Sequence, residues 1–328
     1  MDLKSYGIER SFGCYEYMST FDFSTKIGSK RFSNPIFTAS GCASSGQELS
    51  QFFPLTDLGA IVTKSIMTKA RTGRMTPRMA ETPSGMLNSI GLQGPGIDAF
   101  LENDIPWLVE QKAKVIVSIA GESVDEYGVL SRRLRAVSGI SAVEVNISCP
   151  NVENRGQVFA CHPDTSVAVI ESVRRNIGGE LPIIAKLSPD VTDIVEIAHA
   201  VINAGVDGLA LINTLLGMVI DTTTMRPKLA GKTGGLSGPA IRPVAVRAIY
   251  QVHQAFPNIP IVGMGGVSNG RDALELVLAG ASAISVGTAS FGNPMAAINI
   301  KNQLSELLIQ RGFNDFRDAI GFAHRGVQ

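Results

Sequence analysis

Little in this chain marks a secreted, membrane or nucleic-acid-binding protein. Its 328 residues hold only four cysteines, Cys14, Cys42, Cys149 and Cys161, and no two of them make a C-x-x-C pair. That excludes a disulfide scaffold and points to a reducing compartment. Neither sign of charge is in excess, since 29 Lys plus Arg balance 29 Asp plus Glu. Composition therefore supports no general binder of nucleic acid or of acidic membranes. The opening residues carry charges throughout and lack an apolar core, so no signal peptide is expected. The longest uncharged run, Leu276 to Ile300, is interrupted by Gly280, Gly287, Gly292, Asn293 and Pro294. It reads as a buried helix, strand and loop rather than a membrane span. The four histidines show no metal-ligand spacing, so no metal site is expected. No P-loop or Rossmann fingerprint stands at a strand-to-helix junction. The expectation is a cytoplasmic protein with no membrane or nucleic-acid partner.

Apolar residues make up 45% of the chain, enough for a large core. No low-complexity linker or composition shift divides it, so one domain over 1–328 is expected, with an N-terminal extension over 1–20. Eight short apolar runs recur: 35–40, 60–65, 115–120, 142–148, 182–188, 208–214, 260–266 and 283–288. They are continuous rather than alternating, as buried parallel strands are. Helical patterns lie between several of them, over 167–176, 194–204, 240–255 and 271–279. Strands interleaved with helices in this number point to an α/β fold, a (β/α)8 TIM barrel, with a doubly wound open sheet as the alternative. Phe21, Phe23, Thr25 and Ile27 alternate ahead of Gly28-Ser29-Lys30. That is an N-terminal β-hairpin, placed to plug the lower end of the barrel. The stretch 66–106, rich in Pro, Gly, Thr and Met, reads as a long functional loop.

In such a barrel the chemistry sits at the C-terminal ends of the strands. Gly265-Gly266 and Gly287-Thr288 end the last two runs, and Gly234-Gly235-Leu236-Ser237-Gly238 reads as a third glycine-rich turn opening a helix near Pro239. One such turn is ordinary loop chemistry. Three together point to a phosphate held by backbone N–H groups. Lys64 and Lys186 lie at or in apolar strands, where a cation is costly unless paired. They read as a structural ion pair, as cations facing a cofactor or anionic substrate, or as a Schiff-base lysine. Cys149 follows a strand and precedes a proline. It is either an inert buried thiol or a nucleophile or general base. Cys161 and His162 are adjacent in sequence and so poorly placed to act on one another. Asn88, Asn146, Asn151 and Asn213 fall at strand ends or loops. Each offers a donor and an acceptor, which suits a planar amide or imide ligand as well as ordinary turns.

Together these residues resemble the class 1 dihydroorotate dehydrogenases. The stretches are NPIFTASG, TKS, NSIGLQGPG, VEVNISCPN, KLSPDVTDIVEIA, INTLLGMVID, KTGGLSGPAIRPVA, GMGG and VGT, which together run from about Asn34 nearly to the end of the chain. The combination is nearest the 1B branch, a catalytic subunit that works with an iron–sulfur flavoprotein. Class 2 enzymes place serine where Cys149 stands and carry an N-terminal membrane helix.

The resemblance implies FMN at the barrel mouth. Its phosphate would lie on Gly265, Gly266, Gly287 and Thr288, with Gly238 nearby. Lys64 and Lys186 would approach the isoalloxazine ring, where a cation favours the anionic reduced form. Ala39, Ser40, Gly41, Ser65 and Asn146 would also line it. Dihydroorotate would be held by Asn88, Asn146, Asn151, Asn213 and Thr214, with backbone contacts from Gly91 and Leu92. Cys149 would take a proton from C5 while hydride leaves C6 for the flavin, giving orotate in pyrimidine (UMP) biosynthesis. Electrons would then pass to NAD through a partner carrying FAD and a [2Fe–2S] cluster, because no cysteine cluster here can hold one. A homodimer is also implied.

Three stretches depart from the pattern: the opening residues, Cys42-Ala43-Ser44-Ser45-Gly46, and the run NRGQVFACHP. The alternatives are a fumarate-linked 1A enzyme and a dihydropyrimidine (uracil or thymine) dehydrogenase module. More remote are a Schiff-base aldolase or isomerase barrel using Lys186 and a non-catalytic binding barrel.

Overall fold

A computed structural model describes residues 21–148 and 162–326. The chain opens with β1 (Thr25–Ile27) and β2 (Lys30–Phe32), an antiparallel pair turning at Gly28, whose φ is +53°. It continues through β3 (Ile36–Thr38), β4 (Ile61–Val62), β5 (Met79–Thr82), β6 (Gly85–Asn88), β7 (Val115–Ile119), β8 (Ile140–Asn146), β9 (Ile183–Lys186) and β10 (Gly208–Leu211). Then come β11 (Leu215–Met218), a small ladder of β12 (Ile220–Asp221) with β13 (Arg226–Pro227), β14 (Thr233–Ser237), β15 (Ile261–Met264) and β16 (Ala283–Val286).

Eight of these strands form one sheet in the order β3-β16-β15-β10-β9-β8-β7-β4. Its two ends meet. Phe37 bridges Ala60 in parallel, with Gly59 N–H donating to the Ile36 carbonyl at 2.8 Å. The sheet is therefore a (β/α)8 barrel rather than an open doubly wound sheet, and all eight expected runs supply its staves. Between them pack α1 (Ile105–Glu110), α2 (Val124–Arg135), α3 (Pro163–Ile177), α4 (Ile194–Asn203), α5 (Arg242–Ala255), α6 (Gly270–Ala279) and α7 (Ala296–Gln310). Ser123, Asp193 and Asn269 cap α2, α4 and α6 through their side-chain oxygens, satisfying N–H groups that have no partner within the helix.

Alternation along each strand separates two cores. Phe37, Val62, Ile116, Ala142, Ile184, Ala210, Val262 and Ala283 pack together inside the barrel, one from each stave. Ile27 and Phe32 of the hairpin join that same cluster, both fully buried. Thr25 Oγ1 anchors the hairpin by donating to the Ser282 carbonyl at 2.5 Å. The plug is thus part of the interior, as its alternating pattern indicates. Residues pointing the other way, such as Val143 and Val145, pack with the helices in a separate outer core.

Two readings need correction. The stretch 66–106 is not all loop, because it contains the β5–β6 hairpin. The glycine-rich run 234–237 is not a turn, because it lies in β14. These strands form a four-stranded antiparallel crown in the order β11-β14-β6-β5. Gly234 belongs in a strand because a Cβ there would come within 2.7 Å of the Asn88 carbonyl oxygen. Glycine in a strand marks such a close approach. Only Gly238 turns, with φ +95°.

Candidate active site

Two residues beyond the apolar layer, the same inward faces carry the polar Lys64, Ser118, Glu144, Lys186 and Ser285 beside the apolar Ala39, Ile212 and Met264. Period-2 alternation guarantees this placement. The barrel thus ends upward in a layer with polar side chains on five of its eight staves, and above it opens a cavity of about 550 Å³. The crown roofs it, contributing Met79, Met86, Asn88, Gly235 and Ser237.

The expected residues converge on this cavity. Ala39, Ser40, Gly41, Lys64, Ser65, Asn88, Leu92, Asn146, Lys186, Asn213, Thr214, Gly238, Gly265, Gly266, Gly287 and Thr288 all line it. Gly91 stands one residue behind Leu92, and a Cβ there would press on Arg74 rather than on the cavity. Cys149, Asn151, Cys161 and the extension 1–20 lie outside the described residues. His162 heads α3 and is exposed.

One wall of the cavity is made of backbone. Gly265 and Gly266 adopt φ +124° and +74° at the end of β15. A Cβ on Gly266 would stand 2.8 Å from the Arg242 Cβ. Gly287 and Thr288 follow β16, and Thr288 Oγ1 donates to Ser237 Oγ at 2.8 Å, tying barrel to crown. Arg242 is engaged elsewhere, by Asp272 and Glu275. The wall offers backbone N–H groups, the arrangement that suits a phosphate. Ser285 adds a further sign of a ligand. Its Oγ is buried, has no hydrogen-bond partner among the described residues and belongs to a residue on the cavity wall. Buried hydroxyls are normally paired.

The opposite wall is cationic. Lys186 is 4% exposed, and its Nζ lies 3.7 Å from Glu144 Oε1, whose residue is 2% exposed. Lys64 Nζ stands 3.3 Å from where a Cβ on Gly41 would be. Burial pushes the Cys42 thiol up, against the opposing pull of Lys186 and Lys64. Both ammonium groups therefore act on one corner of the cavity.

Behind this corner runs a chain of hydrogen bonds. Glu144 Oε1 accepts from Ser118 Oγ at 2.8 Å. Ser118 meets Ser65 at 2.9 Å, and Ser65 meets Ser40 at 3.2 Å. Asn146 Nδ2 donates to Ser65 Oγ at 3.1 Å. Asn146 Oδ1 accepts from Ser148 Oγ at 2.9 Å and from Ser148 N–H at 3.3 Å. Asn213 Nδ2 then donates to the Ser148 carbonyl at 3.1 Å and to Ser148 Oγ at 2.8 Å. The Tyr127 hydroxyl holds the Asn146 carbonyl from below at 2.8 Å. Sequence reading missed Glu144, Ser118, Ser148 and Ser285. The signal for Glu144 was present: one carboxylate in the apolar run AVEVNIS, two residues from Asn146.

Among the described residues, no group of three or more His, Cys, Asp or Glu could hold a metal ion, and no helix is long and apolar enough to cross a membrane.

Comparison with known proteins adds to this geometry. The family model described as dihydroorotate dehydrogenase matches residues 22–308. A protein of Desulforamulus reducens is 50% identical over 303 residues, covering 92% of this chain and 99% of its own. One from Desulforudis audaxviator is 51% identical over 292 residues, covering 89% and 94%. One from Geotalea daltonii is 47% identical over 304 residues, covering 93% and 99%. Each of the three is named as the catalytic subunit of dihydroorotate dehydrogenase B (NAD(+)).

Proposed function

Because this chain belongs to the dihydroorotate dehydrogenase family, we propose that its cavity binds FMN and dihydroorotate together. The enzyme is an oxidoreductase that converts dihydroorotate to orotate in pyrimidine biosynthesis. It is the catalytic subunit of a 1B-type assembly that works with an electron-transfer partner.

One observation supports the double-occupancy reading above the others. A glycine cradle, a pair of lysines and a set of asparagines share one cavity. Gly265, Gly266, Gly287 and Thr288, with Gly238 nearby, would hold the FMN phosphate. The orphaned Ser285 hydroxyl and the close-packed glycines fit such a group. Lys64 and Lys186 would lie at the ring, beside Ala39, Ser40, Gly41 and Ser65. When bound, FMN would supply the hydride acceptor for C6 of dihydroorotate.

The chain's own residues do the rest. Asn88, Asn146, Asn151, Asn213 and Thr214 orient the substrate ring, with Gly91 and Leu92 adding backbone contacts. Holding the ring fixed between base and cofactor makes the reaction effectively unimolecular. Cys149, as thiolate, accepts the C5 proton. Rate therefore rises with pH toward the thiol's pKa. The crown excludes water from above.

FAD and a [2Fe–2S] cluster sit on the partner subunit, and NAD is the final acceptor. The chain acts as a homodimer in the cytoplasm, as one catalytic domain preceded by residues 1–20.

The test uses the purified chain alone, observed anaerobically. Dihydroorotate is expected to bleach a flavin band, with turnover of neither NAD nor fumarate until the partner is added. Rapid fumarate turnover would instead make it a 1A enzyme. Bleaching by dihydrouracil but not by dihydroorotate would overturn the substrate. Cys149→Ser is expected to slow reduction strongly at neutral pH, and an unchanged rate would remove the base assignment.

A further inference from the structure

We propose that Glu144, which is not on the cavity wall, is a positioning residue that sets the direction of the hydroxyl chain beneath the substrate and, with the Ser148 backbone, of the two amides that end it. The proposal rests on the reading of the cavity as a flavin and dihydroorotate site.

A carboxylate can only accept, so Ser118 must spend its single hydroxyl proton on Glu144 at 2.8 Å. The contact between Ser118 and Ser65 then needs the proton of Ser65. Having given that proton away, Ser65 can only accept from its other neighbours. Asn146 must therefore turn its NH2 toward Ser65, and its Oδ1 toward Ser148. Ser148 spends its proton on Asn146, so it can only accept from Asn213. The Ser148 backbone imposes the same arrangement from the far end, since its N–H can only donate, and does so to Asn146 Oδ1 at 3.3 Å. Asn213 Nδ2 also meets the Ser148 carbonyl, which can only accept.

The consequence lies in what remains for a ligand. Among the described residues Asn146 Oδ1 is used twice, and one Nδ2 proton is left over. Asn146 thus presents a donor, suited to a carbonyl or carboxylate oxygen. Both Nδ2 protons of Asn213 are used, and its Oδ1 is left over among the described residues. Asn213 thus presents an acceptor, suited to a ring N–H. Two chemically identical side chains are given opposite roles, and the asymmetry is imposed from two ends, by the buried Glu144 carboxylate and by the Ser148 backbone. Glu144 also neutralises Lys186 at 3.7 Å. Its charge is thereby coupled to the cationic corner of the cavity as well as to the amides.

Two variants of the flavin-loaded protein separate these effects. Glu144→Gln can offer Ser118 either an oxygen or an NH2, so the direction is no longer imposed from the Ser118 end, and Lys186 loses its counter-charge. Orotate affinity, read from the flavin spectrum, is expected to fall at least tenfold. Sulfite, a probe of positive charge at the flavin, is expected to bind several-fold tighter. Ser118→Ala cuts the chain but keeps the ion pair. Orotate affinity should fall by a similar factor, with sulfite affinity unchanged. A merely structural role would not split the two readouts in this way. Orotate binding within twofold of wild type in Ser118→Ala overturns the proposal, whether or not Glu144→Gln folds. Unchanged sulfite affinity in a folded Glu144→Gln overturns the link to Lys186. If the wild-type protein binds no flavin, or its flavin ignores dihydroorotate, the underlying reading fails instead.

Discussion

The Cβ that Gly266 lacks would stand 2.9 Å from the carbonyl oxygen of Gly238. The end of a barrel stave and the turn leaving the crown therefore touch backbone to backbone. Gly266 also has φ +74°, which costs an ordinary residue about 1–2 kcal/mol. Gly266→Ala is expected to weaken FMN binding at least tenfold, measured as flavin retained after dialysis. Full retention would move the phosphate away from this wall.

Ser285 gives a prediction with opposite signs in two measurements. An unpaired buried hydroxyl costs about 1–3 kcal/mol. Ser285→Ala should therefore leave the flavin-free protein as stable as wild type or more so in urea. The same change should lower FMN affinity several-fold. A loss of apo stability would mean that the hydroxyl serves the fold rather than a ligand.

The Lys186–Glu144 pair lends itself to a double-mutant cycle. Lys186→Met strands a buried carboxylate and is expected to cost roughly 3–5 kcal/mol of stability. Adding Glu144→Leu should recover most of that loss, since an apolar pair of similar volume needs no counter-charge. Flavin reduction by dihydroorotate should not recover. Recovery of both would make the pair purely structural.

His253 sets a pH dependence away from the cavity. It is packed between glycines, where a Cβ on Gly280 or Gly321 would collide with its ring, and its Nδ1 has no partner among the described residues. Burial, then the neighbouring His324, holds its pKa below the ordinary histidine value. Below about pH 6.5 the unfolded chain therefore binds the proton more readily than the folded one. Stability falls as pH drops through that range and levels off once the folded value is passed. Thermal melts from pH 7.5 to 5 should fall less steeply for His253→Gln than for wild type. Parallel curves would remove His253 as a source of acid sensitivity.

The staves were legible because each is a continuous apolar run, and burial on both faces leaves that imprint. The plug was legible because Ile27 and Phe32 belong to an alternating hairpin. The crown was not. Gly234 and Gly235 look like a turn, and only the approach of Asn88 and Thr214 explains glycine in a strand there. The asparagines and lysines could be named from the ends of the staves. Their supporting shell could not, because Ser118 and Ser148 are ordinary residues until neighbouring staves bring them into register. Ser118 stands opposite Glu144 across β7 and β8, a relation between residues from separate stretches of chain.

The closure of the barrel also fixes an order of events during synthesis. Thr25 reaches its partner Ser282 across 257 residues of chain, and β3 pairs with β16 just beyond. At about 5–20 residues per second, the hairpin and first stave wait roughly 13–50 seconds for the strand that completes them. Throughout that interval β3 presents an unpaired edge, open to pairing with other chains. A nascent or truncated chain ending before Ala283 is thus the aggregation-prone form, and chaperone dependence should fall sharply once β16 has left the ribosome.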